Sequence, residues 1–161
     1  MPRTALIIPV PEAESQVGEL RLAHDWSAAR GVPAHVTILF PFLDAADVDE
    51  AAVADLISRF PAFDFELDRV ERFPDGATWL RPAPSLPFVD LTAAVWQRWP
   101  EHPPYEGIHD EVIPHLTISD EARIDVQFEL PIVARAREVT LIEEDESSGR
   151  WAARLHLPLL G

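Results

Sequence analysis

The feature that most constrains this chain is a short pattern that occurs twice, a histidine and a threonine separated by one apolar residue. The first copy has His35 and Thr37, and the second has His115 and Thr117, 80 residues later. In a β-strand, residues two apart share a face, so each copy would turn its polar pair one way and its apolar neighbours the other. With six histidines and six threonines in 161 residues, about 0.2 such triplets are expected by chance. The repeat therefore indicates two related strands, each with a reactive face over a buried one.

This pattern resembles the two-histidine (2H) phosphoesterase superfamily, which includes 2′-5′ RNA ligase-like proteins and cyclic nucleotide phosphodiesterases and has two H-x-T motifs as its signature. The resemblance extends to residues 65–80 and to the proline-rich segment 103–107, so it covers most of the chain. It implies an α+β fold with two pseudo-symmetric lobes. Each lobe would be a mostly antiparallel sheet with helices outside, and the two H-x-T strands would face a central cleft.

The chemistry expected of this cleft follows from two facing imidazoles. A histidine has an ordinary pKa near 6.5, so one neutral imidazole can take a proton from an attacking hydroxyl or water while its protonated partner gives one to the departing oxygen. We predict these roles for His35 and His115. The hydroxyls of Thr37 and Thr117 are placed to hydrogen-bond the non-bridging phosphate oxygens, and the resemblance implies the same role. It also implies that neither a metal nor another cofactor is needed. The hypothesis is a phosphoesterase for a small cyclic or 2′-5′-linked phosphodiester.

Aromatic residues near the predicted cleft are candidates for stacking on a nucleobase or another flat group of the substrate. They are Phe40, Phe73, Trp79 and Tyr105. After the second motif the chain departs from the family, because many relatives have a basic residue there, whereas this chain has Asp120 and Glu121 before Arg123.

Three alternatives stay open. Both triplets could be ordinary core strands, with threonine present for its β propensity and histidine bonded to the backbone. A protein that binds a ligand without catalysis would carry the same residues. A metal-dependent hydrolase is the third, because the segment before the second motif contains residue types that bind metals. Those residues are His102, His109, Asp110, Glu111 and His115.

Length and composition favour one compact domain over residues 1–161. The chain is near the usual domain size, and 47% hydrophobic residues are enough to exclude general disorder. Two lobes of about 80 residues would each be marginal alone, so we expect them to fold together. The chain has no cysteine, which removes disulfides and zinc–sulfur sites.

The charge indicates what the protein does not bind. Thirteen arginines and no lysine stand against 28 acidic residues, giving a net charge of −15. Proteins that bind nucleic acids usually carry a basic surface, and this net charge is strongly acidic. We therefore expect a small phosphodiester or nucleotide substrate and no long nucleic acid. No apolar stretch is long enough for a signal peptide or a membrane span. We therefore expect a cytoplasmic protein that does not bind membranes, and a monomer.

Local patterns predict the order of elements along the chain. Residues 4–10, 63–70 and 77–81 are predicted strands, the last two joined as a hairpin by Asp75-Gly76. Residues 12–29, 48–59 and 88–99 have the spacing of helices. Residues 82–87 contain three prolines and are the candidate hinge between the halves, and residues 100–112 are a predicted loop. The pattern at 120–130 is ambiguous, while 133–143 and Trp151–Pro158 are two strands predicted to form a closing hairpin.

Overall fold

The computed structural model describes residues 1–109, 111–120 and 123–161. Its elements alternate between short helices and strands, and the strands are the larger part. The helices are α1 Glu14–His24, α2 Trp26–Ala29, α3 Glu50–Ile57 and α4 Leu86–Arg98. The strands are β1 Thr4–Pro9, β2 His35–Leu39, β3 Phe63–Arg72, β4 Thr78–Ala83, β5 Leu116–Ser119, β6 Ile132–Ala136, β7 Glu138–Glu144 and β8 Trp151–Pro158.

The strands form two four-stranded sheets in which every neighbouring pair is antiparallel. The strand order is β2-β1-β7-β8 in the first sheet and β5-β4-β3-β6 in the second. The first H-x-T motif forms the start of β2, which begins at His35. In the second motif, His115 directly precedes β5, which begins at Leu116. Both strands are edges of their sheets, and the two edges contact each other. This confirms the predicted α+β fold in which each sheet contributes one H-x-T strand.

The H-x-T strands have the predicted alternation of faces. Val36, Ile38, Leu116 and Ile118 are buried in the core, whereas the histidines and threonines of the two motifs are partly buried. β1 pairs with β2 and places Pro9 opposite His35. One buried cluster has members in both sheets and in α4, so the two lobes share a core.

Residues 12–29 were predicted to form one continuous helix, and this is wrong. The structure has two helices there, α1 and α2, separated at Asp25. This residue has extended backbone angles, φ −116° and ψ 115°, and its side chain accepts the N–H of Ser27 at the start of α2. A side-chain acceptor at that position is a helix N-cap. Ala23 and His24 are exposed, whereas Arg21 and Asp25 are buried.

The predicted hinge at 82–87 is also wrong. Pro82 and Ala83 complete β4, and α4 begins at Leu86. Pro87 lies in the first turn of α4, where a missing N–H costs nothing because those N–H groups have no helical partner. The prolines therefore mark the ends of regular elements.

The predicted strand 133–143 is two strands of different sheets. β6 pairs with β3 and β7 pairs with β1, and the chain passes from one sheet to the other at Arg137. The closing hairpin of β7 and β8 is confirmed. The two lobes are consequently not successive halves of the chain, because the first sheet is completed by the last two strands.

The remaining segments are shorter than expected or irregular. The helix predicted at 48–59 is α3, capped by Asp49, whose carboxylate accepts the N–H of Ala52. The described part of the loop at 100–112 includes a short 3₁₀ turn, Pro104–Gly107. Residues 123–129 have neither helix nor strand, and positions 121 and 122 lie outside the described residues. None of the described helices has the length and apolar character needed to cross a membrane.

Candidate active site

The two histidines are held in the same way. Nδ1 of His35 lies 2.7 Å from the carbonyl oxygen of Pro33, and Nδ1 of His115 lies 2.7 Å from that of Ile113, in each case two residues upstream. A carbonyl oxygen only accepts, so Nδ1 must carry the proton and donate it. Nε2 of each ring is then the atom left for proton transfer.

The contacting edges of the two sheets bring both motifs to one cavity. Its lining includes His35, Thr37, His115 and Thr117, and its volume is about 220 Å³. The four residues predicted from the repeat therefore lie together, although 80 residues separate the two copies. The cavity is smaller than the ~300–1,000 Å³ usual for drug-sized ligands, which suits a small substrate.

Both imidazoles are neutral in the free protein at pH 7. Burial lowers the pKa of His35 from 6.5 to about 4; its hydrogen bond to Pro33 opposes the shift, and the charges of Arg21 and His115 add to it. Burial also lowers the pKa of His115, again opposed by the bond to its upstream carbonyl. An anion bound between the rings favours the imidazolium form and raises these pKa values. The site is therefore suited to gaining a proton together with a negatively charged ligand.

Tyr105 is fixed in the cavity by an unusual backbone. Its φ is +51° and that of Glu106 is +58°, a left-handed conformation that costs a bulky residue free energy. Its N–H donates to the carbonyl of Phe40 at 2.6 Å. Burial raises the pKa of Tyr105, so the phenol is protonated. Phe40 and Tyr105 both line the cavity.

The other two predicted stacking residues lie behind His115. Phe73 and Trp79 are stacked on each other with ring centroids 4.9 Å apart, and their rings meet the imidazole at 5.2 and 5.8 Å. Trp79 is only 7% exposed, and its ring packs against His115. It does not line the first cavity, and its stacking on a substrate stays a prediction. Phe73 lines a neighbouring cavity of about 540 Å³ that it shares with Tyr105 and His115.

The floor of the first cavity is an apolar cluster that the sequence did not single out. It belongs to the inner face of the first sheet and consists of Ala5, Ile7, Val32, Ile142 and Trp151, with Phe40 packed against it. The rings of Phe40 and Trp151 meet edge to face at 5.9 Å. The guanidinium of Arg3 lies over both rings and is paired with Glu144. The floor is therefore apolar, and its aromatic rings are held by contacts with each other and with Arg3.

A buried ion pair supports one wall of the cavity, which Asp25 lines and Arg21 holds from behind. The side chains of Arg21 and Asp25 are 2% and 4% exposed, and Nη2 of Arg21 lies 3.0 Å from Oδ2 of Asp25. Arg21 also donates to the carbonyl of Val32 and to the hydroxyl of Ser27. Val32, Asp25 and Ser27 all line the cavity. One guanidinium thus joins the break between α1 and α2 to the segment that leads into His35.

Sequence reasoning missed the residues of this wall. Trp26, Ser27 and Asp25 line the cavity from the helix break, and Asp120 lines it from the end of β5. The one available signal was the pair of Asp25 and Ser27, which has the residue types of a helix start inside a pattern interpreted as one helix.

The proposed metal ligands do not converge among the described residues. His109, Glu111 and His115 line the second cavity, whereas His102 lines neither cavity and Asp110 lies outside the described residues. Within the part of the chain that the structure describes, no group of three or more histidine and carboxylate side chains has the geometry to hold a metal ion.

Comparisons with known proteins identify a family and a shared fold. The family model of the 2′-5′ RNA ligase superfamily matches residues 9–148. The crystal structure of E. coli LigT complexed with 3′-AMP has a TM-score of 0.72 and 20% identity, covering 100% of both chains. The apo form of E. coli LigT has a TM-score of 0.69 and 22% identity, covering 99% of this chain and 98% of that one. A crystal structure described as a phosphoesterase has a TM-score of 0.69 and 20% identity over 100% of both chains. A comparison with curated protein sequences found no match. At these identities, likeness to solved structures establishes the fold.

Proposed function

The chain belongs to the 2′-5′ RNA ligase superfamily, and from that premise we propose that it is a metal-independent phosphoesterase. It acts on a small cyclic or 2′-5′-linked phosphodiester, with His35 and His115 as general base and general acid. The observation that carries the proposal is the matched anchoring of the two rings, each with Nδ1 on a carbonyl two residues upstream and both lining one cavity.

The reaction needs the two imidazoles in different protonation states. One neutral Nε2 takes a proton from the attacking water or hydroxyl, and the other, protonated, gives one to the leaving oxygen. Because burial keeps both rings neutral in the free protein, the acid gains its proton when the phosphate anion is bound between them. The hydroxyls of Thr37 and Thr117 donate to the non-bridging oxygens and stabilise the charge that develops there.

The substrate is nucleotide-sized, and its flat group rests against the floor near Phe40 and Tyr105. The cavity volume and the aromatic lining support this. The structural neighbours add support, because E. coli LigT has been crystallised with 3′-AMP, with ATP, with NADP+ and with phosphate. We further propose a cytoplasmic monomer that does not bind long nucleic acids.

The test is a screen for turnover with and without a chelator. The substrates are 2′,3′-cyclic nucleotides, 2′-5′ dinucleotides and ADP-ribose cyclic phosphates. Turnover of at least one class that survives exhaustive chelation, and that is lost in His35→Ala, is the expected result. Binding of a cyclic nucleotide without turnover would favour a catalytically silent module, and loss of activity on chelation would favour a metal-dependent hydrolase.

A further inference from the structure

Asp120 joins the end of β5 to the break between α1 and α2. It follows β5, and its N–H donates to the carbonyl of His24 at 3.3 Å. Its Oδ2 accepts the backbone N–H of Trp26 at 3.1 Å. Both contacts reach from the second sheet to the break between α1 and α2. The carboxylate is therefore held in a fixed position in the lining of the cavity, beside Trp26.

Among the described residues, two carboxylates line this cavity, those of Asp25 and Asp120. They differ in whether an oxygen is left to accept a hydrogen bond from a ligand. Oδ1 of Asp25 accepts the N–H and the hydroxyl of Ser27, and Oδ2 accepts from Arg21, so both of its oxygens are used. Asp120 uses Oδ2 alone. Among the residues that the structure describes, Oδ1 of Asp120 has no hydrogen-bond donor and no arginine within ion-pair distance. An ionised carboxylate oxygen is a strong acceptor.

The charges around Trp26 decide what can approach that oxygen. The guanidinium of Arg30 lies 5.1 Å from the centre of the Trp26 ring, but Arg30 does not line the cavity, whereas Asp120 does. A second phosphate group placed beside Asp120 would be repelled by the carboxylate. A neutral group that carries a hydroxyl or an amino hydrogen would instead be bound.

We infer that Asp120 is a specificity-determining residue that accepts a hydrogen bond from the end of the substrate opposite the scissile phosphate. The substrate class is then a phosphodiester whose organic part ends in a hydroxyl or amino donor and carries no second phosphate there. This inference rests on the proposed function for the position of the scissile phosphate, between His35 and His115.

The test compares two ligands that differ at that end alone. Adenosine 2′-monophosphate has a free 5′-hydroxyl, and adenosine 2′,5′-bisphosphate has a phosphate in its place. Calorimetry should show the monophosphate binding the wild-type protein at least about ten-fold more tightly, the size expected from one hydrogen bond to a charged group. The 5′-deoxy analogue of the monophosphate should lose this advantage, because it lacks the hydroxyl donor.

Asp120→Asn is the informative variant, because its side-chain oxygen can still accept the N–H of Trp26 while an amide NH₂ replaces the free oxygen. We expect it to keep the thermal stability of the parent and to lose the preference for the monophosphate. Asp90→Asn, at an exposed position of α4, is the matched control and should keep the preference. Arg30→Ala should also keep it.

Equal or tighter binding of the bisphosphate by the wild-type protein would overturn the inference. So would an unchanged preference in Asp120→Asn, a preference lost in Arg30→Ala, or no binding of either ligand. Because binding is measured directly, this result is separate from turnover. A protein that shows the expected preference without hydrolysing any cyclic phosphodiester would contradict the proposed catalysis and leave the role of Asp120 supported.

Discussion

His35 and His115 are anchored identically and line one cavity, so they should act as a unit. Replacing either by alanine removes one of the two proton-transfer partners, and we expect a loss on the order of 10²–10⁴ in rate. The double variant should be scarcely worse than the single ones, because each loss already disables the pair. Single-turnover rates on a substrate found in the screen measure this. A double variant as active as the parent, with an unchanged circular dichroism spectrum, would refute the assignment.

The lowered histidine pKa values determine the expected dependence of rate on pH. The reactive form has one ring protonated and one neutral. Because the pKa of His35 is about 4 and that of His115 is below 6.5, the profile of kcat/KM should be a bell with its maximum below pH 6.5. The profile of kcat should lie further to the alkaline side, since bound phosphate raises both values.

Initial rates from pH 3.5 to 9 in the presence of chelator test this expectation, and circular dichroism at each pH confirms that the protein stays folded. A rate that keeps rising through pH 9, or a profile that moves when the divalent ion is exchanged, would indicate a metal-bound hydroxide in place of paired imidazoles.

The junction of α1 and α2 depends on the buried pair Arg21 and Asp25. Arg21→Met leaves the Asp25 carboxylate buried without its partner, which costs roughly 3–5 kcal/mol of unfolding free energy. Arg59→Met is the control, because the pair Arg59–Asp55 has the same i,i+4 spacing but is 69% and 66% exposed. Such exposed pairs contribute about 0.2–1 kcal/mol. Urea denaturation at pH 7 measures both, and equal losses in the two variants would contradict the structural role assigned to Arg21.

The double variant Arg21→Met, Asp25→Asn refines the same test. It removes both charges, so the free energy of unfolding should recover part of the loss seen in Arg21→Met. Asp25→Asn retains an oxygen that can accept from Ser27, and the N-terminal cap of α2 is kept. No recovery would mean that the loss comes from the contacts of Arg21 with Val32 and Ser27.

The charge of the whole molecule predicts what it does not bind. The net charge is −15, and at least nine of the thirteen arginines are paired with carboxylates. A protein that grips a nucleic-acid backbone must neutralise several phosphates, and its affinity then falls steeply with salt. We therefore expect negligible binding of a labelled 20-nucleotide RNA at both low and physiological salt, measured by fluorescence anisotropy. Submicromolar, salt-sensitive binding would contradict this.

The sequence by itself determined the elements whose signal is local. The alternation of charged and apolar residues in β3, the turn at Asp75-Gly76 and the two H-x-T strands each involve residues within a few positions of one another, and all are present in the structure. Two copies of the H-x-T pattern are unlikely to occur by chance. The association of His35 with His115 could therefore be predicted, although 80 residues separate them.

Tertiary structure alone decided the rest of the site. The apolar positions of residues 12–29 fit one helix, and the break at Asp25 arises because Arg21 binds that carboxylate and the carbonyl of Val32 inside the wall. Asp120 meets Trp26 across 94 positions. Trp79 and Phe40 are both aromatic residues next to predicted cleft strands. In the structure, however, the ring of Trp79 packs against His115, whereas Phe40 lines the cavity. These outcomes depend on which sheet edges meet in space, and no short window of sequence carries that information.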